Sequence, residues 1–126
     1  MNTWLAVFVG GGLGSLCRYG ISHYAFRFIQ SGFPWGTFIS NMLACLILAL
    51  SIIYFKEKFQ EQPLWRFFIL TGFCGGFSTF STFSYENYVL FKTDHIFLSL
   101  ANVVVSVLLG FVIMLVLFKD FQFDAQ

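Results

Sequence analysis

Residues 71–85 read Thr71-Gly72-Phe73-Cys74-Gly75-Gly76-Phe77-Ser78-Thr79-Phe80-Ser81-Thr82-Phe83-Ser84-Tyr85. The stretch carries no charge, yet paired glycines followed by Ser and Thr make poor continuous helix. We expect a break near residues 75–78. A break frees backbone N–H and C=O groups, which need partners inside a membrane. Discontinuous helices at midplane often mark ion sites for this reason, and a cluster of freed carbonyls suits a hard cation such as Na+. A kink satisfied by neighbouring hydroxyls fits the same residues.

Outward from this stretch the chain stays apolar. Of its 126 residues, 58% are hydrophobic and 10% charged, against about 25% charged in a soluble domain. That excludes an ordinary soluble domain and a disordered chain. A net charge of +1 leaves no basic patch for nucleic acid. A membrane-crossing helix needs roughly 20 apolar residues. Charge-free runs cover residues 1–17, 28–55, 67–85 and 96–118. Allowing extension past Arg18 and Glu86, and a start at Pro34, we expect four transmembrane helices at 3–28, 34–55, 64–91 and 95–118. They form one all-α domain, residues 1–126, joined by short turns. Residues 56–63 read as a charged loop, and Thr93 or Asp94 as the cap of the fourth helix. The first span lacks the basic n-region of a signal peptide and reads as retained.

Four spans put both termini and the second loop on one side. That side carries Lys56, Lys58, Arg66 and Lys119, and the other Arg27 and Lys92. Such a weak bias is compatible with insertion in both orientations, and so with an antiparallel dimer, and equally with one orientation. Gly10 and Gly14 in the first span, and Gly72 and Gly76 in the third, have the spacing of close helix packing. Cys17, Cys45 and Cys74 lie far apart in apolar stretches and read as small packing residues.

Polar groups at membrane depth are costly and therefore informative. The second span offers Thr37, Ser40 and Asn41, and the fourth Ser99, Asn102, Ser106 and Gly110. Asn102, Ser106 and Gly110 recur every four residues and share a face, as a polar track or as ordinary packing. Phe77, Phe80 and Phe83 alternate with Ser81, Thr82 and their neighbours. Ring edges are electropositive. With hydroxyls and an Asn amide they solvate a small anion without a fixed cation, although hydroxyls serve cations equally well. Arg18 reads as snorkelling into an aqueous vestibule, and Glu86 as pairing with a cation or facing the opposite vestibule. No nucleophile–base pair or metal motif is visible, which argues against an enzyme.

The segment from Gly72 to Ser84, with Pro34-Trp35-Gly36-Thr37 before Asn41 and the glycine-rich lead-in to Arg18-Tyr19, resembles the signature of the Fluc (CrcB) fluoride channels over essentially the whole chain. The resemblance implies a passive channel in the cell's inner (plasma) membrane that lets cytoplasmic fluoride out. It implies an antiparallel, dual-topology homodimer in the lipid bilayer, with two fluoride pores and one structural Na+. Asn41 would donate to fluoride, Phe80 and Phe83 would turn ring edges to it, and Ser81, Thr82 and Thr37 would add hydroxyls. Asn102 and Ser106 would form the track of the fourth helix, where Gly110 departs from the family's Ser or Thr. Gly75 and Ser78 would offer backbone carbonyls to Na+, and Arg18 and Glu86 would stand at the vestibules. A small four-helix multidrug-type transporter is the alternative. It needs an acid in the first helix, and this one has none before Arg18 or after it.

Overall fold

The computed structural model describes residues 2–122 and is helical throughout, with no strand among the described residues. The helices are α1 (Thr3–Phe28), α2 (Trp35–Glu61), α3 (Pro63–Arg66), α4 (Gly75–Phe77), α5 (Phe80–Lys92) and α6 (Ile96–Leu117), with a π-helical turn sequence over Phe67–Cys74. Four units are long and apolar enough to cross a membrane: α1, α2, the segment Pro63–Lys92, and α6. The shortest, α6, has 22 residues, about 33 Å at 1.5 Å per residue, enough for a ~30 Å hydrocarbon core.

Local chemistry sets the ends. The Asn2 side chain accepts from the Trp4 and Leu5 amides and caps α1. Pro34 precedes α2, where its fixed φ is already close to helical. Two expectations need correction. Residues 56–61 are helical, not a loop: Lys, Glu and Gln are good helix formers, so α2 runs on to Glu61 with one non-helical residue, Phe55 (φ −112°, ψ 16°). The bend lets Phe59 bury itself, while Lys58 lies 4.9 Å from the centre of the Trp65 ring. Nor does Thr93 or Asp94 cap α6. The Thr93 hydroxyl turns back to the Val89 carbonyl at 2.9 Å and closes α5. Asp94 takes φ 61° to reverse the chain, and His95 precedes α6 without a side-chain cap.

The core is made largely of small residues. Its buried apolar members are Ala6, Ala44, Ala49, Phe59, Cys74, Phe77 and Leu90. Most Leu, Val and Ile side chains of α6 point outward, as suits a helix solvated by lipid tails. The tightest contact joins α1 to the third span, backbone against backbone. A Cβ on Gly10 would run into the Phe68 carbonyl oxygen, one on Gly14 into that of Phe73, and one on Gly76 into that of Gly11. Gly36 meets Ser22 in the same way between α2 and α1: a Cβ there would stand only 2.7 Å from the Ser22 Cα. The two glycines at 75 and 76 are themselves helical, so Gly76 serves this contact rather than interrupting the helix.

The contact predicts a contrast. Gly14→Val drives a branched side chain into backbone that cannot rotate away, and should cost at least about 3 kcal/mol, the upper range of overpacking. Gly12, with nothing within 4 Å of its would-be Cβ, should accept Ala with unchanged or raised stability. Thermal unfolding and size-exclusion profiles of the two variants in detergent check this; a stable Gly14→Val protein would refute the packing.

Candidate functional site

The site forms around two residues that leave the helix. Ser78 (φ −80°, ψ 157°) and Thr79 (φ −151°, ψ 117°) are extended between α4 and α5. The Ser78 amide keeps its i→i−4 bond to Cys74, but the extended pair takes other backbone groups out of the ladder, and at membrane depth no water replaces those bonds. Several of the groups at the break can be traced to a partner. The Ser78 amide and hydroxyl both donate to the Cys74 carbonyl, at 3.0 and 2.9 Å. The Gly76 carbonyl, near the end of α4, accepts from the Arg18 Nε at 3.1 Å and the Ser15 hydroxyl at 3.4 Å. The Thr79 amide donates to Asn41 Oδ1 at 2.8 Å, and Asn41 Nδ2 returns a bond to the Thr79 carbonyl at 3.4 Å. The carboxamide of Asn41 therefore acts like the edge of a neighbouring strand. It uses one of its two N–H groups in doing so. The Thr79 hydroxyl accepts from the Thr82 amide at 3.3 Å and caps α5. It also bonds the Thr82 hydroxyl at 3.2 Å and lies 3.3 Å from that of Ser81.

A cavity of about 270 Å³ opens beside these residues. Asn41, Ser78, Thr79, Phe80, Phe83 and Ser106 line it, with Met42, Cys45 and Val107. Residues from three spans thus meet at one place. The Phe80 and Phe83 rings have centres 6.1 Å apart, tilted by 37°. Phe80 is 80% exposed, so most of its ring faces away from this protomer.

The fourth span reaches the cavity through a buried ladder. Asn102 Nδ2 donates to Asn87 Oδ1 at 2.9 Å, and Asn87 Nδ2 donates to the Phe83 carbonyl at 2.8 Å. The Ser106 hydroxyl donates to Asn102 Oδ1 at 3.1 Å, and that of Ser99 to the Asn87 carbonyl at 2.9 Å. Asn87 is the member that sequence reasoning missed. Its signal is a carboxamide one turn past Phe83 in an apolar span, masked by the adjacent Glu86. Gly110 lies outside the ladder and packs on α2, its would-be Cβ 3.6 Å from the Cys45 sulfur.

The other candidates sit apart. The Thr37 hydroxyl donates to Glu86 Oε1 at 2.8 Å. Glu86 Oε2 is buried with no hydrogen-bond partner among the described residues. Both residues line a second cavity of about 220 Å³, with Ser22, Ser31, Trp35 and Gly36. Because the Thr37 proton is directed to the carboxylate, that hydroxyl offers lone pairs to the remaining space. Arg18 is half-buried and holds the Gly76 carbonyl through Nε. Gly75 is exposed, with nothing within 4 Å of a Cβ position, and the extended turn at Ser78 takes its carbonyl out of the helical ladder.

Comparison with known proteins places this arrangement in a family. A family model described as "CrcB-like protein, Camphor Resistance (CrcB)" matches residues 5–118. A protein of Flavobacterium psychrophilum named "Fluoride-specific ion channel FluC" is 37% identical over 110 residues, covering 87% of this chain and 89% of the relative. A protein of the same name from Pyrococcus horikoshii is 45% identical over 100 residues, covering 79% and 80%. One from an Enterobacter species is 39% identical over 107 residues, covering 85% and 84%. With the match running from α1 to the end of α6, the chain belongs to the CrcB family.

Proposed function

We propose that this chain is a passive, fluoride-selective channel that lets cytoplasmic fluoride leave across the inner membrane. The observation that carries the reading is the cavity that gathers Asn41, Phe80, Phe83 and Ser106 from three spans, in a chain whose relatives bear a fluoride-channel name. Fluoride is small and tightly hydrated, and an unpaired ion of that size entering a low-dielectric interior costs tens of kcal/mol. The path has to replace water with donors. Asn41 has an N–H left over, and the two rings bring electropositive edges. A Lys or Arg in the pore would hold the anion rather than pass it, and the one cation deep in a span, Arg18, is engaged with the Gly76 carbonyl. Chloride is larger, so a path fitted to fluoride excludes it by size as well.

The working unit in this reading is an antiparallel homodimer with two pores. Thr71, Gly75, Ser81 and Ser84 are exposed within the third span, and so is Phe80. Polar groups facing hydrocarbon are expensive, and a second copy covers them. The third span works as a broken helix, with the extended pair at 78–79 as its break. Gly75 and Ser78 would present their carbonyls to a Na+ shared between copies; such oxygens suit a hard cation, and the missing side chain at Gly75 leaves the approach open. Bound there, the ion would supply positive charge off the path and tie two broken helices together. A four-helix multidrug-type transporter finds no support in α1, whose ionisable groups within the span offer no carboxylate.

Liposomes holding the purified protein and loaded with fluoride should empty rapidly on adding valinomycin, while chloride-loaded ones retain their ion. Fluoride retention by a folded protein would sink the reading. Asn41→Asp keeps the acceptor for the Thr79 amide but removes the donor, and should cut fluoride efflux at least about tenfold. Phe80→Ile should lower it roughly three- to tenfold, the worth of one aromatic contact; an unchanged rate would remove ring edges from the mechanism. Exchanging Na+ for a bulky organic cation should lower the unfolding temperature of the dimer, and identical melting curves would argue against the shared ion.

A further inference from the structure

We infer that Asn87 is a positioning residue: through Asn102 it fixes the direction of the Ser106 hydroxyl, so that Ser106 turns lone pairs, not a proton, toward the cavity. The inference rests on the channel reading and extends it to what the fourth span offers the ion. Three side chains carry it, and all are buried: Asn87 at 8% exposure, Asn102 at 1% and Ser106 at 8%.

The direction of every bond in the ladder follows from its far end. The Phe83 carbonyl can only accept. Asn87 must therefore give it the amide nitrogen, as it does at 2.8 Å. With its amide turned over, Asn87 would set two oxygens against each other at that distance. Its oxygen then points to Asn102, which must answer with its own nitrogen, at 2.9 Å. That leaves the Asn102 oxygen facing Ser106, so the serine has to donate, at 3.1 Å. The single hydroxyl proton is spent inside the ladder. Ser99 donates to the backbone carbonyl of Asn87 at 2.9 Å, a further bond that holds α6 to α5.

Ser106 nevertheless lines the cavity that holds Asn41, Phe80 and Phe83. An anion gains nothing from an oxygen lone pair. A water does, since it donates one hydrogen to the Ser106 oxygen and the other to the ion. The cavity, about 270 Å³, has room for several waters at about 30 Å³ each. Asn87 thus makes fluoride pass this wall with a water between it and the serine. Gly110, the next residue on the same face, adds no hydroxyl that would replace it.

The test measures fluoride efflux from liposomes for Asn87→Leu in two backgrounds. With Ser106 present, losing Asn87 lets the Asn102 amide turn and frees the serine proton to meet the ion. Efflux should rise on the order of tenfold, the gain from one hydrogen bond to a charged group. In a Ser106→Ala background the same change should move efflux by less than about twofold. A structural role alone would act equally in both. If Asn87→Leu does not assemble, Asn87→Ala, which leaves room for a water, carries the same two expectations. A fall or no change with Ser106 present, or equal changes in both backgrounds, would overturn the inference while leaving the channel reading intact. A wild-type protein that releases no fluoride would overturn both.

Discussion

The backbone groups that the break at Ser78 and Thr79 takes out of the helical ladder set the terms for the rest of the molecule. In water they would cost little. Inside a membrane each unsatisfied N–H or C=O costs several kcal/mol, so other spans have to supply what the helix has given up. The second span supplies Asn41, which meets both the amide and the carbonyl of Thr79. The first supplies Arg18 and Ser15 to the Gly76 carbonyl. The contacts of Gly10, Gly14 and Gly76, where an added Cβ would meet backbone of the facing helix, hold α1 against the third span and so bring Arg18 and Ser15 to that carbonyl. Packing and polar satisfaction are one requirement here.

This also explains why the interior is so poor in large side chains. Lipid tails are as apolar as Leu, so burying Leu between helices gains little. Close approach, dispersion contacts and hydrogen bonds hold such a bundle together. Among the described residues the buried polar ones, Thr37, Ser40, Ser51, Asn87, Ser99, Asn102 and Ser106, are as many as the buried hydrophobic ones. Most of the large apolar side chains face outward. Glu86 Oε2 is the buried side-chain oxygen without a hydrogen-bond partner among the described residues, and several hydroxyls of the third span are exposed.

Much of the fold is legible because its governing rule is length in apolar residues, which a sequence states directly. The four spans lie within a few residues of expectation except at the end of α2. There a polar composition reads as a loop, although Lys-Glu-Lys-Phe-Gln-Glu is good helix and Phe59 has somewhere to go. The run at 75–78 reads as helix-poor, but the extended residues are Ser78 and Thr79. Gly75 and Gly76 are helical and the extended backbone begins one residue beyond Phe77, because what glycine provides here is proximity to α1, and proximity is a property of the partner. Arg18 reads as free in a vestibule for the same reason: nothing in its own helix announces a carbonyl presented by another. Asn87 is the least legible. Its meaning lies in reaching Asn102, fifteen positions along and on another helix, and no local pattern encodes that pairing.

The donors and acceptors around the two cavities are arranged unequally, and the inequality bears on how a channel of this kind would select its ion. At the cavity lined by Asn41, Phe80, Phe83 and Ser106 the Asn41 amide would keep a donor and the rings would bring positive edges in the proposed channel, while the Ser106 proton is directed to Asn102. At the other cavity the Thr37 proton is committed to Glu86, whose second oxygen is also an acceptor. In the proposed channel a bare anion would be favoured only by Asn41 and the phenylalanines. The acceptors of Ser106, Thr37 and Glu86 would favour water, which can face an acceptor and an anion at once. Fluoride would then shed part of its shell beside Asn41 and keep the rest. The barrier to a strongly hydrated ion is lowered most by limiting the length over which hydration is lost. In this reading selectivity would sit with Asn41, Phe80 and Phe83, and conduction would depend equally on the acceptors that keep the ion wet elsewhere.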